Sequence, residues 1–171
     1  MRSFYSVSFR QLRTRKLRVL LSVYREAGGR QPPIVLVHDD AHGTPLIDAL
    51  ARFGDGLPAN VLPVAVNELT QVGLEAIAAA FAYGATALRF LTRARPRHDM
   101  TGLVKTLALA EQILSGLGFG SGRAGTIETD DPDGLGDALR AIGPVQPASH
   151  PAAFQPVGAK RDVLRLALRE L

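Results

Sequence analysis

The chain has 171 residues, 46% hydrophobic and 21% charged, which is enough for one hydrophobic core and excludes wholesale disorder. With no cysteine, disulfides, thiolate zinc sites, a cysteine nucleophile and any cluster ligated by this chain's own thiolates are excluded. The net charge of +4 is uneven, because residues 1–29 carry seven Lys/Arg and one acidic residue (+6), leaving −2 for the remainder. No apolar run approaches the roughly 18 residues of a bilayer span. The Arg-rich start lacks the apolar core and cleavage site of a secretory signal, so a cytoplasmic location is expected.

In chain order, Gln11–Ala27 reads as a basic amphipathic helix. Its apolar positions are Leu12, Val19, Leu20, Val23 and Tyr24, and Gly28-Gly29 supplies the C-terminal stop. Met1–Phe9 fits no element. Pro33–Val37 is a continuous β-branched and leucine run of the kind found in buried parallel strands. The polar loop His38-Asp39-Asp40-Ala41-His42-Gly43 follows, and Thr44 as N-cap with Pro45 at the first helical position opens a helix. Leu46, Ile47, Leu50 and Phe53 form its core face, and Gly54 ends it.

Asn60–Leu91 has the pattern of a βαβ unit. Val61–Val66 is a short apolar run, Thr70 the expected N-cap, Leu74, Ile77, Ala78 and Phe81 the helical core face, Gly84 the stop, and Ala85–Leu91 the second strand. A basic loop, Thr92–Asp99, leads into a long helix whose core positions are Leu103, Val104, Leu107, Ala110, Ile113, Leu114 and Leu117, closed by Gly118. A short strand at Ala124–Glu128 precedes a helix with Asp131 at N-cap, Pro132 at N1 and Leu135, Leu139 and Ile142 inward. Val145–Pro156, with three prolines, reads as an extended linker. Lys160–Leu171 resumes as a helix with Val163, Leu164, Ala167, Leu168 and Leu171 apolar.

Four alternations of strand and helix predict an α/β fold: an open parallel sheet of about four strands with helices on both faces, flavodoxin-like or Rossmann-like in order, plus N- and C-terminal helices. The expected organisation is a basic arm and helix over 1–29, an α/β domain over 30–144, and a Pro-rich linker with the C-terminal helix over 145–171.

Candidate chemistry gathers where the strands end. Asp39 and Asp40 follow the first strand, as the acid pair of a phosphotransfer receiver would, yet the third strand ends Leu91-Thr92-Arg93 without the required aspartate. His38, His42, His98 and Asp99 are a conceivable hard-metal or zinc set. Glu68, Glu128, Asp130 and Asp131 are carboxylates at the same edge, where acidic residues also serve as helix caps. Asn67, Glu68, Thr70 and Gln71 form the polar interruption of the βαβ unit. Arg89, Arg93, Arg95 and Arg97 form an anion or partner patch. Gly118, Gly120 and Gly122 follow a helix and precede a strand, the reverse of a phosphate cradle.

Several longer strings carry a family resemblance: Asp48-Ala49-Leu50-Ala51-Arg52-Phe53-Gly54-Asp55-Gly56-Leu57-Pro58, Asn67-Glu68-Leu69-Thr70-Gln71-Val72-Gly73-Leu74, Ile127-Glu128-Thr129-Asp130-Asp131-Pro132-Asp133 and Pro156-Val157-Gly158-Ala159-Lys160-Arg161. Over roughly residues 12–171 the chain resembles the hydrogenase iron–sulfur (delta) subunit associated with heterodisulfide reductase, and in particular the cysteine-poor α/β domain between two ferredoxin modules in bacterial 4Fe–4S ferredoxin-like proteins. The delta subunit has cysteines after its strands. The equivalent loops here are His38–Gly43 and Asn67–Gln71.

The resemblance implies a non-catalytic scaffold or docking domain of an electron-transfer protein, with no cofactor of its own and 4Fe–4S clusters in flanking modules. Its partners would be those modules or a redox protein. Contact would fall at Asp39, Asp40, Asn67, Glu68, Thr70, Gln71, Arg93, Arg95 and Arg97, and the terminal helices would offer a homodimer surface. Two alternatives stand beside it. One is a small-molecule or nucleotide (flavin-like) site at the carboxyl edge of the sheet, and the other is nucleic-acid binding through the basic N-terminal helix.

Overall fold

The computed structural model describes residues 9–143 and 150–171, with side chains from Thr14 onward. The expectations for Met1–Ser8, for Leu12 and for the first part of the Pro-rich linker lie outside the described residues.

Four six- or five-residue strands, β1 (Ile34–Asp39), β2 (Val61–Val66), β3 (Ala87–Thr92) and β4 (Ala124–Glu128), form one parallel sheet in the order β2-β1-β3-β4. Ile34 is level with Val61 on one side and Ala87 on the other, and Leu88 is level with Ala124. The fold is therefore α/β with an open parallel sheet, its four strands in the order of the first four of a flavodoxin-like sheet. β1 is covered on both faces, which is why Ile34 to Val37 is an unbroken apolar run. β2 is an edge: Pro63 and Ala65 are exposed while Val61, Val64 and Val66 are buried.

Side chains alternate between two cores. Val35, Val37, Val64, Val66, Leu88 and Phe90 point to one face, where α1 (Phe9–Glu26), α3 (Leu74–Ala82), α4 (Thr101–Gly116) and α6 (Lys160–Glu170) complete the core. Ile34, Leu36, Ala87, Leu91 and Ile127 point to the other, against α2 (Gly43–Phe53) and α5 (Pro132–Arg140). α3 lies between α1, α4 and α6, so Ala76 to Ala82 are all buried. A helix apolar on every side suits that central place. Five alanines let its neighbours approach closely, and Gly84, at φ +101°, turns the chain out of it in the left-handed region where a side chain is disfavoured.

Both terminal helices belong to this core. Leu17, Leu21 and Ala167 join the same cluster as Phe81 and Tyr83, and Lys160 Nζ lies 3.4 Å from Glu75 Oε1, tying α6 to α3. The described part of the linker crosses the end of α3. Ala152 N–H donates to Ala82 O at 2.7 Å, Phe154 stacks on Tyr83 with centroids 4.8 Å apart, and the Tyr83 hydroxyl donates to Phe154 O at 3.2 Å.

Several local expectations need correction. α1 buries Thr14, Leu17 and Leu21, and leaves Val19 and Val23 more than half exposed. The helix carries two apolar stripes, and the one with the larger leucines faces α3. Phe53, expected on the core face of α2, is 87% exposed, and Val104 in α4 and Leu117 just after it are about half exposed. α2 starts one residue before Thr44, and its first N–H groups are met by Asp39 rather than Thr44. Thr70 lies within a short 3-10 turn, Leu69–Gln71, and Gly73 precedes α3. Asp131 does cap α5, its carboxylate accepting from Gly134 N–H at 3.0 Å, with Pro132 following.

Candidate functional site

The chain direction across the sheet reverses at β1, because β2 lies on one side of it and β3 on the other. In an open parallel sheet the crevice opens at such a point, outside the carboxyl ends of the strands. A cleft of about 160 Å³ is found there, lined by Asp39, Ala41, Glu68, Leu69, Thr92, Arg93, Pro96, Arg97, His98 and Met100. The sheet places each wall. Asp39 ends β1, Glu68 follows β2, and Thr92 ends β3 with the basic loop beyond it.

The acidic wall is held by local hydrogen bonds. Asp39 Oδ1 accepts from His42 N–H at 2.6 Å and, more loosely, from Gly43 N–H at 3.4 Å. A carboxylate at a helix N-terminus both satisfies unpaired donors and meets the positive end of the dipole. It also occupies the position where a flavodoxin-like site would receive a phosphate. Asp40 Oδ1 accepts from the Thr44 hydroxyl at 3.1 Å, and Glu68 Oε1 accepts from the Thr70 hydroxyl at 3.0 Å. Asp40, Asn67, Thr70 and Gln71 are not among the residues that line the cleft. They stand beside it on the same edge of the sheet.

The basic wall is looser. Arg93 Nη2 donates to Ala41 O at 3.3 Å, bridging the two loops. Arg95, Pro96, Arg97 and His98 are exposed. Asp99 closes the loop by accepting from Thr101 N–H at 2.8 Å at the start of α4, and the bonds from Thr101 hold its carboxyl below the usual range.

Arg89 stands apart from the other three arginines. Its guanidinium donates to Arg123 O at 2.9 Å and Gly122 O at 2.8 Å at the opposite end of β4. Burial lowers its pKa, and Glu111 opposes that shift. Glu111 was not singled out by sequence, yet its carboxylate accepts from Gly122 N–H at 2.8 Å and from Ala124 N–H. The glycine-rich loop is thereby a connector tied to α4.

The histidines do not converge. His38 is buried with Nδ1 3.2 Å from Asp39 O, while His42 is buried with Nε2 3.0 Å from Thr129 O and Nδ1 3.8 Å from Asp130. Among the described residues no three His, Asp or Glu side chains are grouped as metal ligands would be. A cysteine-ligated cluster does not fit the loops His38–Gly43 and Asn67–Gln71, since the first offers carboxylate and imidazole groups, the second carboxylate and amide groups, and neither a thiolate. Among the described residues no helix is long and apolar enough to cross a membrane. No protein-family model matches this sequence, and no curated protein matches it significantly.

Proposed function

We propose that this chain is a non-catalytic docking domain of a 4Fe–4S ferredoxin-type electron-transfer protein. It would receive an acidic, cluster-bearing module on the carboxyl edge of its sheet. The observation that carries this is the cationic loop Arg93–His98, exposed from residue 94 onward, beside a small cleft whose carboxylates are engaged with their own loops. The resemblance to the middle domain of ferredoxin-like proteins supports it. A cluster held by four thiolates is net negative, and an arginine-rich rim steers and orients such a partner without strong binding. Redox encounters of this kind sit at the small, transient end of interfaces.

The nucleotide or flavin alternative is weighed by size. Ligand pockets of that class span about 300–1,000 Å³, whereas this cleft holds about 160 Å³. Against the nucleic-acid alternative, two of the helix's arginines turn toward the chain's own fold, Arg18 donating to Ala153 O and Arg25 to Tyr83 O. Calorimetric titration with an acidic 2[4Fe–4S] ferredoxin at low salt tests the proposal. Salt-sensitive binding that disappears in the R93E/R95E/R97E variant is expected, and heat-silent mixing at every ionic strength would overturn it.

A further inference from the structure

A larger concavity lies away from the cleft. It is a groove of about 600 Å³ between α1 and the edge strand β2, lined chiefly by Arg15, Lys16, Val19, Val23 and the strand residues Pro63 to Ala65. Val19 and Val23 are 54% and 53% exposed, one turn apart on the side of α1 opposite the buried Leu17 and Leu21. Two adjacent bare valines beside an exposed edge strand make an apolar surface without a cover among the described residues.

The edge strand does not welcome another strand. Ile34 N–H donates to Asn60 O, so residue 60 faces β1 and, by alternation, 61, 63 and 65 face outward. Val61 N–H is already bonded to Pro58 O at 2.9 Å, and Pro63 has no N–H. A ladder along this edge would lack two of its three outward donors, keeping that of Ala65. The groove suits a helix with an apolar centre and charged ends.

α1 itself carries that pattern. Along its outer stripe stand Lys16, Val19, Val23 and Glu26, all exposed. Spacings of three, four and three keep them on one side of a helix. Reversing the helix about the level of Leu21 maps Val19 onto Val23 and Lys16 onto Glu26, so the stripe is complementary to a second copy of itself. Self-complementarity of this kind is what a twofold interface requires.

We infer that the chain forms a homodimer through this groove. Two α1 helices pack antiparallel across a twofold axis level with Leu21. Val19 meets the second copy's Val23, and Lys16 pairs with the second copy's Glu26. Pro63 and Ala65 flank the helix pair. The surface is separate from the arginine loop, and the inference stands whether or not a ferredoxin docks there. A single pair of helices is a small interface, so the association should be reversible and in the micromolar range.

Sedimentation equilibrium of the full chain, taken to about 1 mM where even a ~100 µM dimer is largely assembled, is the first test. The expected species has twice the 18.3 kDa chain mass. V19D and V23D, both at exposed positions, should sediment as monomers and share the parent's unfolding midpoint at dilutions where the parent too is monomeric. K16E and E26K should each weaken the dimer roughly tenfold, since each substitution sets like charges together twice, and K16E/E26K should restore it. Because the chain has no cysteine, oxidising a mixture of V19C and V23C chains should give a disulfide between the two kinds in preference to either alone. A monomer throughout that range, a dimer indifferent to V19D, a double reversal no tighter than the single ones, or cross-linking without preference for the mixed pair would each overturn the inference.

Discussion

Asp39 is the sharpest place to separate a structural carboxylate from a ligand-binding one. Its Oδ1 meets the first turn of α2 through His42 N–H at 2.6 Å and Gly43 N–H at 3.4 Å, the second contact being marginal. Replacement by alanine removes one good capping bond and a negative charge at a helix N-terminus. The first is worth about 1 kcal/mol and the second roughly 0.3–1 kcal/mol. D39A should therefore cost about 1–2 kcal/mol, and D39N, which keeps an acceptor, should cost about 0.3–1 kcal/mol. At this chain length each kcal/mol corresponds to a fall of about 3 °C in Tm. Urea unfolding followed by circular dichroism resolves both variants. A ligand-binding carboxylate held beside Glu68 without structural employment would instead be relieved of repulsion on removal. D39A equal to or more stable than the parent would refute the assignment.

Two further predictions concern the frame around the site. E111A leaves the N–H groups of Gly122 and Ala124 without their carboxylate, and should cost about 2–3 kcal/mol in urea unfolding, with faster amide exchange along β4. Tyr83 is pushed up to about 12 by burial, against an ordinary 10.0. The unfolded phenol ionises first, so the contribution of Tyr83 is complete below pH 10 and is lost between about pH 10 and 12. Y83F should lose about 1 kcal/mol at neutral pH with its bond to Phe154 O, and should remove that component of the alkaline decline. An unchanged pH profile in Y83F would contradict the assignment.

Much of the frame was legible because single physical demands dominate it. The unbroken run Ile34–Val37 could hardly be anything but a doubly covered strand, and Asp131-Pro132 marks a helix start by geometry alone. The stops at Gly84 and Gly118 follow from their left-handed backbone, φ +101° and +88°.

What failed needed tertiary information. α1 has apolar residues on two sides, and helical periodicity does not say which side α3 will cover. The two strands of the Asn60–Leu91 unit are not neighbours, since β1 lies between β2 and β3 and β2 is an edge. Pro63 was the available signal, as a proline inside a strand belongs at an edge. Residue type alone favours Thr70 and Thr44 as caps. A carboxylate already present at the end of β1 and the extended backbone at Gly73 took those places.

The candidate site was legible as a location. Asp39, Glu68, Arg93 and Arg97 were expected at one edge and do line one cleft. Leu69, Pro96 and Met100, which supply its apolar surface, carry no distinguishing mark in the sequence. Glu111 is inconspicuous in the sequence for a different reason. It lies mid-helix among exposed positions, and its partners come from a loop eleven to thirteen residues away.

The central claim, docking of an acidic cluster-bearing module on the carboxyl edge of the sheet, is tested most directly by magnetic resonance. The ¹⁵N-labelled chain would be titrated at low salt with an oxidised 2[4Fe–4S] ferredoxin, whose clusters broaden nearby resonances. Docking there should give broadening and shifts confined to Glu68–Gln71 and Arg93–Met100, reversed by added salt. An unperturbed spectrum, or perturbation concentrated elsewhere on the surface, would contradict it.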